Sequence, residues 1–285
     1  MRTKIKKINL ESLPILVFGG VYSNLQALES LLQEAEKRKI LSTQLFCTGD
    51  ILGYCAQPEE VLEIFQTNGI HSIAGNVEIQ LRNDKSDCGC DFNTGSRCDI
   101  FSKQWYPFTQ KKISKKSFNY LHTLPEFIKL EYKHHKIGIV HGSYFNTSEF
   151  IFKSTPWQQK EKIVEAMNVS TVIAGHCGLP FLDKVNEQVW FNPGVIGMPA
   201  NDGTPRVWFG TISESESLEL NFEFHSLCYD YKKTSDLMKD NHLPEAYSKT
   251  LLNGIWDNCD ILPVQEANLQ GIAMDKFCML KNSGL

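Results

Sequence analysis

Short apolar runs alternate with amphipathic segments along the first part of the chain. The runs PILVFG, QLFCTGD and HSIAGN each end in glycine or a polar residue, which is typical of buried strands. After the first run, Ser23 and Gln26 have the spacing of a capping box, and leucines follow at helical intervals. Pro58 predicts the start of a second helix, which Gly69 ends. The pattern therefore predicts strand–helix units.

The pattern changes after residue 82. Residues 82–99 are polar and contain glycine and cysteine, so they predict an inserted loop, and residues 100–124 have a helical pattern. Strand-like runs follow: KIGIVHGS, STVIAGHCG, QVWFNPGV, RVWFGTI and LELNFEFHS. From about residue 230 the chain is polar and helical again. Strand–helix units followed by a run of strands predict an α/β fold with two facing sheets and helices outside them.

These changes of pattern divide the chain into three parts. Residues 1–13 are predicted to be an N-terminal extension, and residues 14–225 a main domain that contains the 82–99 insert. Residues 226–285 are predicted to form a helical C-terminal tail.

The composition disfavours some classes of partner. The net charge of −4 gives no basic footprint for nucleic acid or for a membrane surface. The N-terminal segment MRTKIKKINLESL is basic, but no long apolar run follows it, so we expect neither a signal peptide nor a transmembrane helix. We therefore expect a cytoplasmic protein with a small-molecule substrate. Phosphorylated compounds are one class of such substrates. The oligomeric state stays open.

Polar side chains follow several of the predicted strands at the point where each strand ends. Asp50, Asn76, His141 and His176 supply a carboxylate, an amide oxygen and two imidazoles. In α/β folds functional groups are displayed at strand ends, so we expect these side chains to converge. The set suits iron, manganese or zinc rather than calcium. A single residue of this kind is more often a turn or cap, and the agreement of all four favours a metal site.

The motifs CTGDILGY, IAGNVE, IVHGS, AGHCG and WFNPGVIGMP resemble, in order and spacing, those of the calcineurin-like metallophosphoesterases. The resemblance covers roughly residues 14–212. It implies a four-layer α-β-β-α sandwich and hydrolysis of phosphoesters by two metal ions. In the family both metals share an aspartate, which is Asp50 here. The other ligands of one metal correspond to Asn76, His141 and His176, so its ligand set is complete.

The ligands of the other metal are missing from the matching positions. These positions are Gly20, Tyr22 and Gly178, and the family histidine that helps protonate the leaving group is Val77. We therefore expect a metal-dependent hydrolase related to phosphoesterases, with one complete ligand set and a second site that is rebuilt or absent. The alternative is a non-catalytic protein that binds a metal or an iron–sulfur cluster on the same scaffold.

Cysteines near these motifs are candidates to rebuild the second site. Cys55, Cys88, Cys90, Cys98 and Cys177 are all expected at the rim of the site, where thiolates would bind a second metal such as zinc or an iron–sulfur cluster. The spacing C-x-C-x7-C matches no standard ligand pattern. Burial as small apolar groups, a redox pair and a cysteine nucleophile stay open as alternatives.

Other polar residues lie in loops that flank the predicted site. Tyr22 and Asn24, at the start of the first helix, are candidate catalytic residues, with Tyr22 a proton donor or iron ligand. Ser23, Asn192 and Arg206 are candidate substrate-binding residues, because a helix N-terminus and a guanidinium both favour anions. Each has a plainer alternative, which is packing of the turn or a surface ion pair. Glu78 is either a partner of the site or an ordinary first-turn residue of a surface helix.

Overall fold

The computed structural model describes residues 4–90 and 95–274. The strands in these residues are β1 (Ile5–Asn9), β2 (Ile15–Phe18), β3 (Leu45–Cys47), β4 (His71–Ser72), β5 (Phe127–Tyr132), β6 (His135–Ile139), β7 (Thr171–Ile173), β8 (Phe181–Val185), β9 (Gln188–Asn192), β10 (Val207–Glu214) and β11 (Leu220–Leu227). The α-helices are α1 (Leu25–Lys37), α2 (Pro58–Asn68), α3 (Asn76–Arg82), α4 (Arg97–Lys112), α5 (Lys115–Leu121), α6 (Trp157–Met167), α7 (Tyr231–Asp240), α8 (Glu245–Asn253) and α9 (Val264–Ala267).

The strands form two sheets. The larger has the order β1-β5-β6-β7-β9-β8 and the smaller the order β11-β10-β2-β3-β4. In the smaller sheet β2, β3 and β4 run parallel, with Leu16 opposite Leu45 and Phe46 opposite His71. In the larger sheet β6, β7 and β9 run parallel. Each sheet therefore gathers the loops that follow its parallel strands at one edge.

The alternation of side chains along the strands produces four layers. Ile15 and Val17 of β2 pack between the two sheets, and Leu16 and Phe18 belong to the core formed with α1 and α2. On the outer face of the larger sheet, α6 packs with Trp190 of β9 in a third core. The layers are therefore helix, sheet, sheet and helix, which confirms the predicted fold class.

The N-terminal segment belongs to the larger sheet. Strand β1 pairs in parallel with β5, with Ile5 opposite Phe127 and Asn9 opposite Glu131. The sequence pattern sets residues 1–13 apart as a basic N-terminal extension. The structure instead makes residues 5–9 an edge strand, whose side chains are mostly exposed.

Helix α1 begins one residue later than the predicted capping box requires. Asn24 caps it, because Asn24 Oδ1 accepts a hydrogen bond from the backbone N–H of Ala27 at 3.2 Å. The Ser23 hydroxyl instead accepts from the backbone N–H of Gly53 at 3.2 Å. Tyr22 and Ser23 both have left-handed backbone, with φ of 52° and 59°. Serine and asparagine are equally good caps, so the sequence alone does not separate them.

The described part of the C-terminal tail after β11, residues 228–274, is helical, as predicted, and packs on the main domain, whereas residues 275–285 lie outside the described ranges. Met238 and Leu251, from α7 and α8, are fully buried in the core that contains α1. The predicted insert runs from the last residue of α3 to the first turn of α4, and its residues 91–94 lie outside the described part of the chain. No helix in the described ranges is both long and apolar enough to cross a membrane.

Candidate metal centre and its cavity

Four polar side chains meet where the loops of the two sheets approach each other. Asp50 follows β3, and Asn76 opens α3 just after β4. His141 and His176 follow β6 and β7, which are neighbouring parallel strands of the larger sheet. Every one of the four is at most 9% exposed. The structure therefore brings together the four residues that the sequence singles out.

His141 lies at the centre of this group. Its Nε2 is 3.0 Å from Asn76 Oδ1, 3.0 Å from His176 Nδ1 and 3.2 Å from Asp50 Oδ2. Metal–nitrogen and metal–oxygen bonds are about 2.1 Å long, so two ligands at right angles on one ion are about 3 Å apart. The observed separations therefore match those of neighbouring ligands on a single ion.

The other hydrogen bonds of these side chains turn lone pairs toward the centre. His141 Nδ1 is 2.7 Å from the carbonyl oxygen of Thr48, so Nδ1 carries the proton of the neutral imidazole and Nε2 is the nitrogen that can bind an ion. Asn76 Nδ2 donates to the carbonyl oxygen of Cys88 and to Cys90 Sγ, which leaves Asn76 Oδ1 facing inward. When His141 is neutral, its Nε2, the Asn76 carbonyl oxygen and the Asp50 carboxylate direct lone pairs at one another over about 3 Å, and a cation between them, like a proton on Nε2, relieves this repulsion. The donor set therefore fits a divalent transition-metal ion.

The electrostatics of the group favour the ionised form of Asp50 and the neutral form of His176. Burial alone would raise the pKa of Asp50, but the neighbouring His141 outweighs it and the pKa is lowered. Burial opposes a charge on His141 too, although Asp50 raises its pKa above the ordinary value. Burial, and then the charge on His141, lower the pKa of His176 to about 3. Neutral imidazole and ionised carboxylate are the ligand forms that metals require, so a cation would displace the proton that Asp50 favours on His141.

Unusual backbone geometry lets these loops come so close. Asp50 and His176 have φ of 55° and 56°, in the left-handed region that residues other than glycine seldom adopt. A Cβ added to Gly75 would lie 2.2 Å from Asp50 Oδ1. Backbone strain of this kind costs about 1–3 kcal/mol per residue and clusters at functional sites.

Glu78 ties the loop that carries Asp50 to the start of α3. Its Oε2 accepts hydrogen bonds from the backbone N–H groups of Asp50 and Gly75, both at 2.9 Å. Its Oε1 accepts from the backbone N–H of Leu52 at 3.0 Å. Burial and the charge of Asp50 raise the pKa of Glu78 to about 7. Of the two roles that the sequence leaves open, the structure supports the partner of the site, because Glu78 is fully buried.

A cavity of about 100 Å³ lies beside His176. The main domain lines it with Tyr22, Tyr54, Cys90, Cys98, Phe150, Cys177, Gly178, Val195 and Met198, and the tail with Tyr247, Thr250, Trp256, Asp257, Asn258 and Ile261. Several contacts hold the tail there. Arg97 binds the Asp257 carboxylate, and the Trp256 indole N–H donates to the carbonyl oxygen of Pro199 at 2.8 Å. The helical tail therefore forms part of the cavity wall.

The Tyr22 ring fills the space next to the missing second ligand set. A Cβ added to Gly20 would lie 2.4 Å from Tyr22 Cε1 and Cζ, and one added to Gly197 would lie 2.6 Å from Tyr22 Cδ2. The ring is 6% exposed and packs edge-on against Tyr54, with ring centroids 4.5 Å apart. Burial, with the charge of Asp50, raises the pKa of Tyr22 well above 10, so its hydroxyl keeps its proton. An aspartate at position 20 would therefore clash with the Tyr22 ring in this position.

Asn24, for which a catalytic role stays a prediction, is hydrogen-bonded into the scaffold. Its amide group donates to the carbonyl oxygen of Gly197 and to the Tyr229 hydroxyl, both at 3.1 Å. Its Oδ1 accepts from the backbone of Ala27 and from Thr234 Oγ1. The side chain is fully buried. These bonds join α1 to the tail and leave Asn24 no group that faces the cavity.

The residues predicted to bind substrate are also bonded into the scaffold, and none of them lines the cavity. Ser23 holds the loop after β3, as described above. Asn192 donates to the carbonyl oxygen of Gly175 and to Cys177 Sγ, at 2.9 Å and 3.1 Å. Arg206 lies 3.4 Å from the Asp202 carboxylate. Their role in substrate binding stays a prediction.

The five singled-out cysteines divide into two groups. Cys90, Cys98 and Cys177 line the cavity, and Cys88 Sγ is 2.9 Å from Cys90 Sγ. Cys55, expected at the rim, is instead 1% exposed within the core, and burial raises its pKa. In the described ranges, one group of three carboxylate, imidazole or thiol side chains is close enough to share an ion, and it consists of Asp50, His141 and His176. This group contains no cysteine.

Known proteins share this fold and, in part, this sequence. An uncharacterized protein of Methanocaldococcus jannaschii is 25% identical over 261 residues, which cover 84% of this chain and 98% of the relative. A hypothetical protein of Pyrococcus horikoshii OT3 has a TM-score of 0.70 at 23% identity, covering 85% of this chain and 99% of that one. A metallophosphoesterase from Sphaerobacter thermophilus has a TM-score of 0.67 at 21% identity, covering 86% and 100%.

A family model gives the more specific finding. The calcineurin-like phosphoesterase superfamily domain matches residues 13–215, which is most of the chain. The resemblance that the sequence motifs indicate is thus confirmed. The protein belongs to the calcineurin-like phosphoesterase superfamily.

Proposed function

We propose that the protein is a metal-dependent hydrolase of small phosphoesters that works with one metal site. The observation that carries the proposal is the convergence of Asp50, Asn76 and His176 on His141 Nε2, all within 3.2 Å. Burying such groups with their lone pairs opposed costs free energy unless a cation joins them. Membership of the superfamily supports phosphoester hydrolysis as the reaction class and a divalent metal as the cofactor. Iron, manganese and zinc suit the ligands.

The side chains around the site have separate tasks in this proposal. Asp50, Asn76, His141 and His176 hold the cation, which when bound supplies Lewis acidity toward a phosphoryl oxygen. Glu78 holds the Asp50 loop through the backbone. The Tyr22 hydroxyl, protonated at neutral pH, donates a hydrogen bond to an oxygen of the ester and so stabilises charge that develops there.

The Tyr22 ring also argues for one metal rather than two. It occupies the space that a side chain at Gly20 would need, with its Cε1 and Cζ only 2.4 Å from a Cβ built there. A thiolate-bound second metal or iron–sulfur cluster would have to use the cavity side of the site. That side offers Cys90, Cys98 and Cys177.

Replacing Tyr22 with phenylalanine separates its two tasks. The ring would still fill the space above Gly20, but the hydrogen-bond donor would be lost. We expect kcat to fall about 10²-fold, as on removal of one oxyanion donor, with Mn²⁺ affinity unchanged. Steady-state kinetics and calorimetry measure the two quantities. Tyr120→Phe, on α5, is the matched control, and an unchanged kcat in Tyr22→Phe would leave Tyr22 as a space-filling residue only.

The cavity indicates which phosphoesters the site takes. Its lining includes Tyr22, Tyr54, Phe150, Tyr247 and Trp256, and among the described residues it includes no lysine or arginine. A substrate with several negative charges would therefore be buried without enough opposite charge. The aromatic side chains favour an apolar or aromatic group on the ester. We infer a singly charged phosphodiester with a compact group of this kind.

A matched pair of esters tests the proposed function and this preference together. Protein purified without oxygen and stripped of metal should regain activity with one equivalent of Mn²⁺ per chain. It should hydrolyse methyl p-nitrophenyl phosphate, a monoanion, at least about tenfold better in kcat/KM than the dianion p-nitrophenyl phosphate. Trp256→Ala should raise KM more than it lowers kcat, whereas Trp157→Ala, on α6, should change neither. Turnover without metal would contradict the proposal.

A metal-binding protein without turnover is the second candidate. The observation that favours it is Val77, a buried apolar side chain where the family has a histidine that helps protonate the leaving group. Mn²⁺ binding without hydrolysis of either ester would support this candidate. Visible absorbance of anaerobically purified protein, lost on replacing Cys88 and Cys90 with serine, would indicate its iron–sulfur form.

A further inference from the structure

We propose that Cys88 and Cys90 are a reversible oxidation site, and that the disulfide formed there weakens the neighbouring metal centre. The thiol chemistry stands independently, and its effect on the metal rests on the proposed function. Nothing in the hydrolytic proposal uses these two thiols.

The Cys-Gly-Cys turn holds the two sulfur atoms against each other. Cys88 Sγ and Cys90 Sγ are 2.9 Å apart, and both residues are buried. Gly89 between them has φ of 67°, and a Cβ there would lie 2.5 Å from Gln80 Nε2. Only glycine fits this left-handed and crowded position, so the turn that pairs the thiols depends on it.

Further contacts fix the turn. The backbone N–H of Gly89 donates to Asp87 Oδ1 at 2.9 Å, and the Ser148 hydroxyl donates to the carbonyl oxygen of Gly89. Ser148 belongs to the loop that follows His141. The thiol pair is therefore anchored to the same loops that carry the metal ligands.

The oxidant can reach the pair through the cavity. Cys90 is part of the cavity wall, and the volume of about 100 Å³ exceeds the roughly 30 Å³ that one water molecule takes up. Hydrogen peroxide is about the size of two waters, so it fits there. Cys88, which does not line the cavity, lies behind Cys90 in position to act as the second thiol.

The reaction balances with peroxide as the oxidant. The Cys90 sulfur takes one oxygen from hydrogen peroxide as the O–O bond breaks, which gives a sulfenic acid and water. The Cys88 sulfur then attacks the Cys90 sulfur, the S–S bond forms, the S–O bond breaks and a second water leaves. Two thiols lose two electrons and two protons to one peroxide, and a dithiol reductant reverses the change.

Asn76 connects the thiol pair to the metal centre. Its Nδ2 donates to Cys90 Sγ at 3.1 Å and to the carbonyl oxygen of Cys88 at 2.8 Å, while its Oδ1 faces His141 Nε2. Disulfide formation draws the sulfurs to about 2.05 Å and moves both groups that orient this amide. Loss of such an orienting partner weakens metal binding about 10–100-fold.

Cys177 provides a matched control. Its Sγ also accepts a hydrogen bond from a buried amide, Asn192 Nδ2 at 3.1 Å. It lines the same cavity. In the described ranges, Cys177 has no hydrogen bond to another thiol. It therefore shares the surroundings of the pair but lacks a second sulfur next to it.

The test combines mass and metal affinity on the full-length protein. After treatment with one equivalent of hydrogen peroxide and blocking of free thiols, trypsin should release SDCGCDFNTGSR, residues 86–97, with both cysteines unblocked. This peptide should be lighter than its reduced form by about 2 Da, the mass of two hydrogens. Mn²⁺ affinity should fall about tenfold and return with dithiothreitol. Cys177→Ser should respond like the wild type, and Cys88→Ser should not respond.

Each contrary outcome has its own meaning. Free thiols in peptide 86–97 after oxidation would overturn the proposal, whatever the metal does. A disulfide there with unchanged Mn²⁺ affinity would overturn its effect on the centre. If the reduced protein binds no Mn²⁺ at all, the proposed function fails together with that effect, and the peptide mass still decides whether the thiols pair.

Discussion

Asp50→Asn should abolish Mn²⁺ binding and phosphoester hydrolysis together while the fold survives. Asparagine keeps the shape of the side chain, but it removes the carboxylate that lies 3.2 Å from His141 Nε2. The remaining ligands are neutral, so a divalent ion would enter a buried site without a directly bound negative charge. We expect affinity to fall by more than about a hundredfold, beyond the usual cost of losing an outer partner.

Calorimetry and thermal unfolding measure this effect independently of turnover. Mn²⁺ at 100 times its dissociation constant should stabilise the wild-type protein by about 2.7 kcal/mol and the variant not at all. Asp240→Asn, an exposed carboxylate at the end of α7, is the control and should behave as wild type. If Asp50→Asn kept both its metal affinity and its activity, the proposed centre would be wrong.

Glu78→Ala should lower the free energy of unfolding by about 4 kcal/mol. Three buried backbone N–H groups, those of Asp50, Leu52 and Gly75, would lose their acceptor, at about 1–3 kcal/mol each when unsatisfied. Glu78→Gln should cost less, because the amide keeps one accepting oxygen. Urea unfolding of the metal-free protein measures both. The same variants should bind Mn²⁺ more weakly, because the Asp50 loop loses its tie to α3.

A control on a neighbouring helix makes the comparison specific. Glu63→Ala removes an exposed carboxylate from α2 and should change the free energy of unfolding by less than about 0.5 kcal/mol. A Glu78→Ala protein as stable as this control would show that the three N–H groups find other partners.

The four candidate ligands were accessible to sequence reasoning because each follows an apolar run at a strand end. Asp50 and Asn76 belong to parallel strands of one sheet, and His141 and His176 to parallel strands of the other. Local pattern therefore fixes the edge of the sheet at which each appears. The family motifs supplied the further expectation that the two edges meet.

The start of α1 shows where local pattern fails. Tyr22, Ser23 and Asn24 are all compatible with a helix start, and the sequence favours a substrate-facing role for each. Only the left-handed backbone at Tyr22 and Ser23 decides that Asn24 becomes the cap. That backbone in turn depends on loops far along the chain, such as the one that contains Gly197.

Long-range packing accounts for the remaining differences. Cys55 follows a motif that reaches the site, but its own side chain turns into the core. Glu78 looks like an ordinary first-turn residue until the loop carrying Asp50 is placed above it. The position of residues 247–261 on the cavity depends on pairings such as Arg97 with Asp257, which no periodicity signals.

The family match ends at residue 215, yet Tyr247, Trp256 and Ile261 line the cavity beside the candidate metal centre. A substitution in these residues would change the cavity wall and leave the candidate metal ligands in place. A match over residues 13–215 alone therefore carries no information about this part of the wall. Assigning a substrate from a relative consequently requires that the C-terminal tail of the relative be similar too.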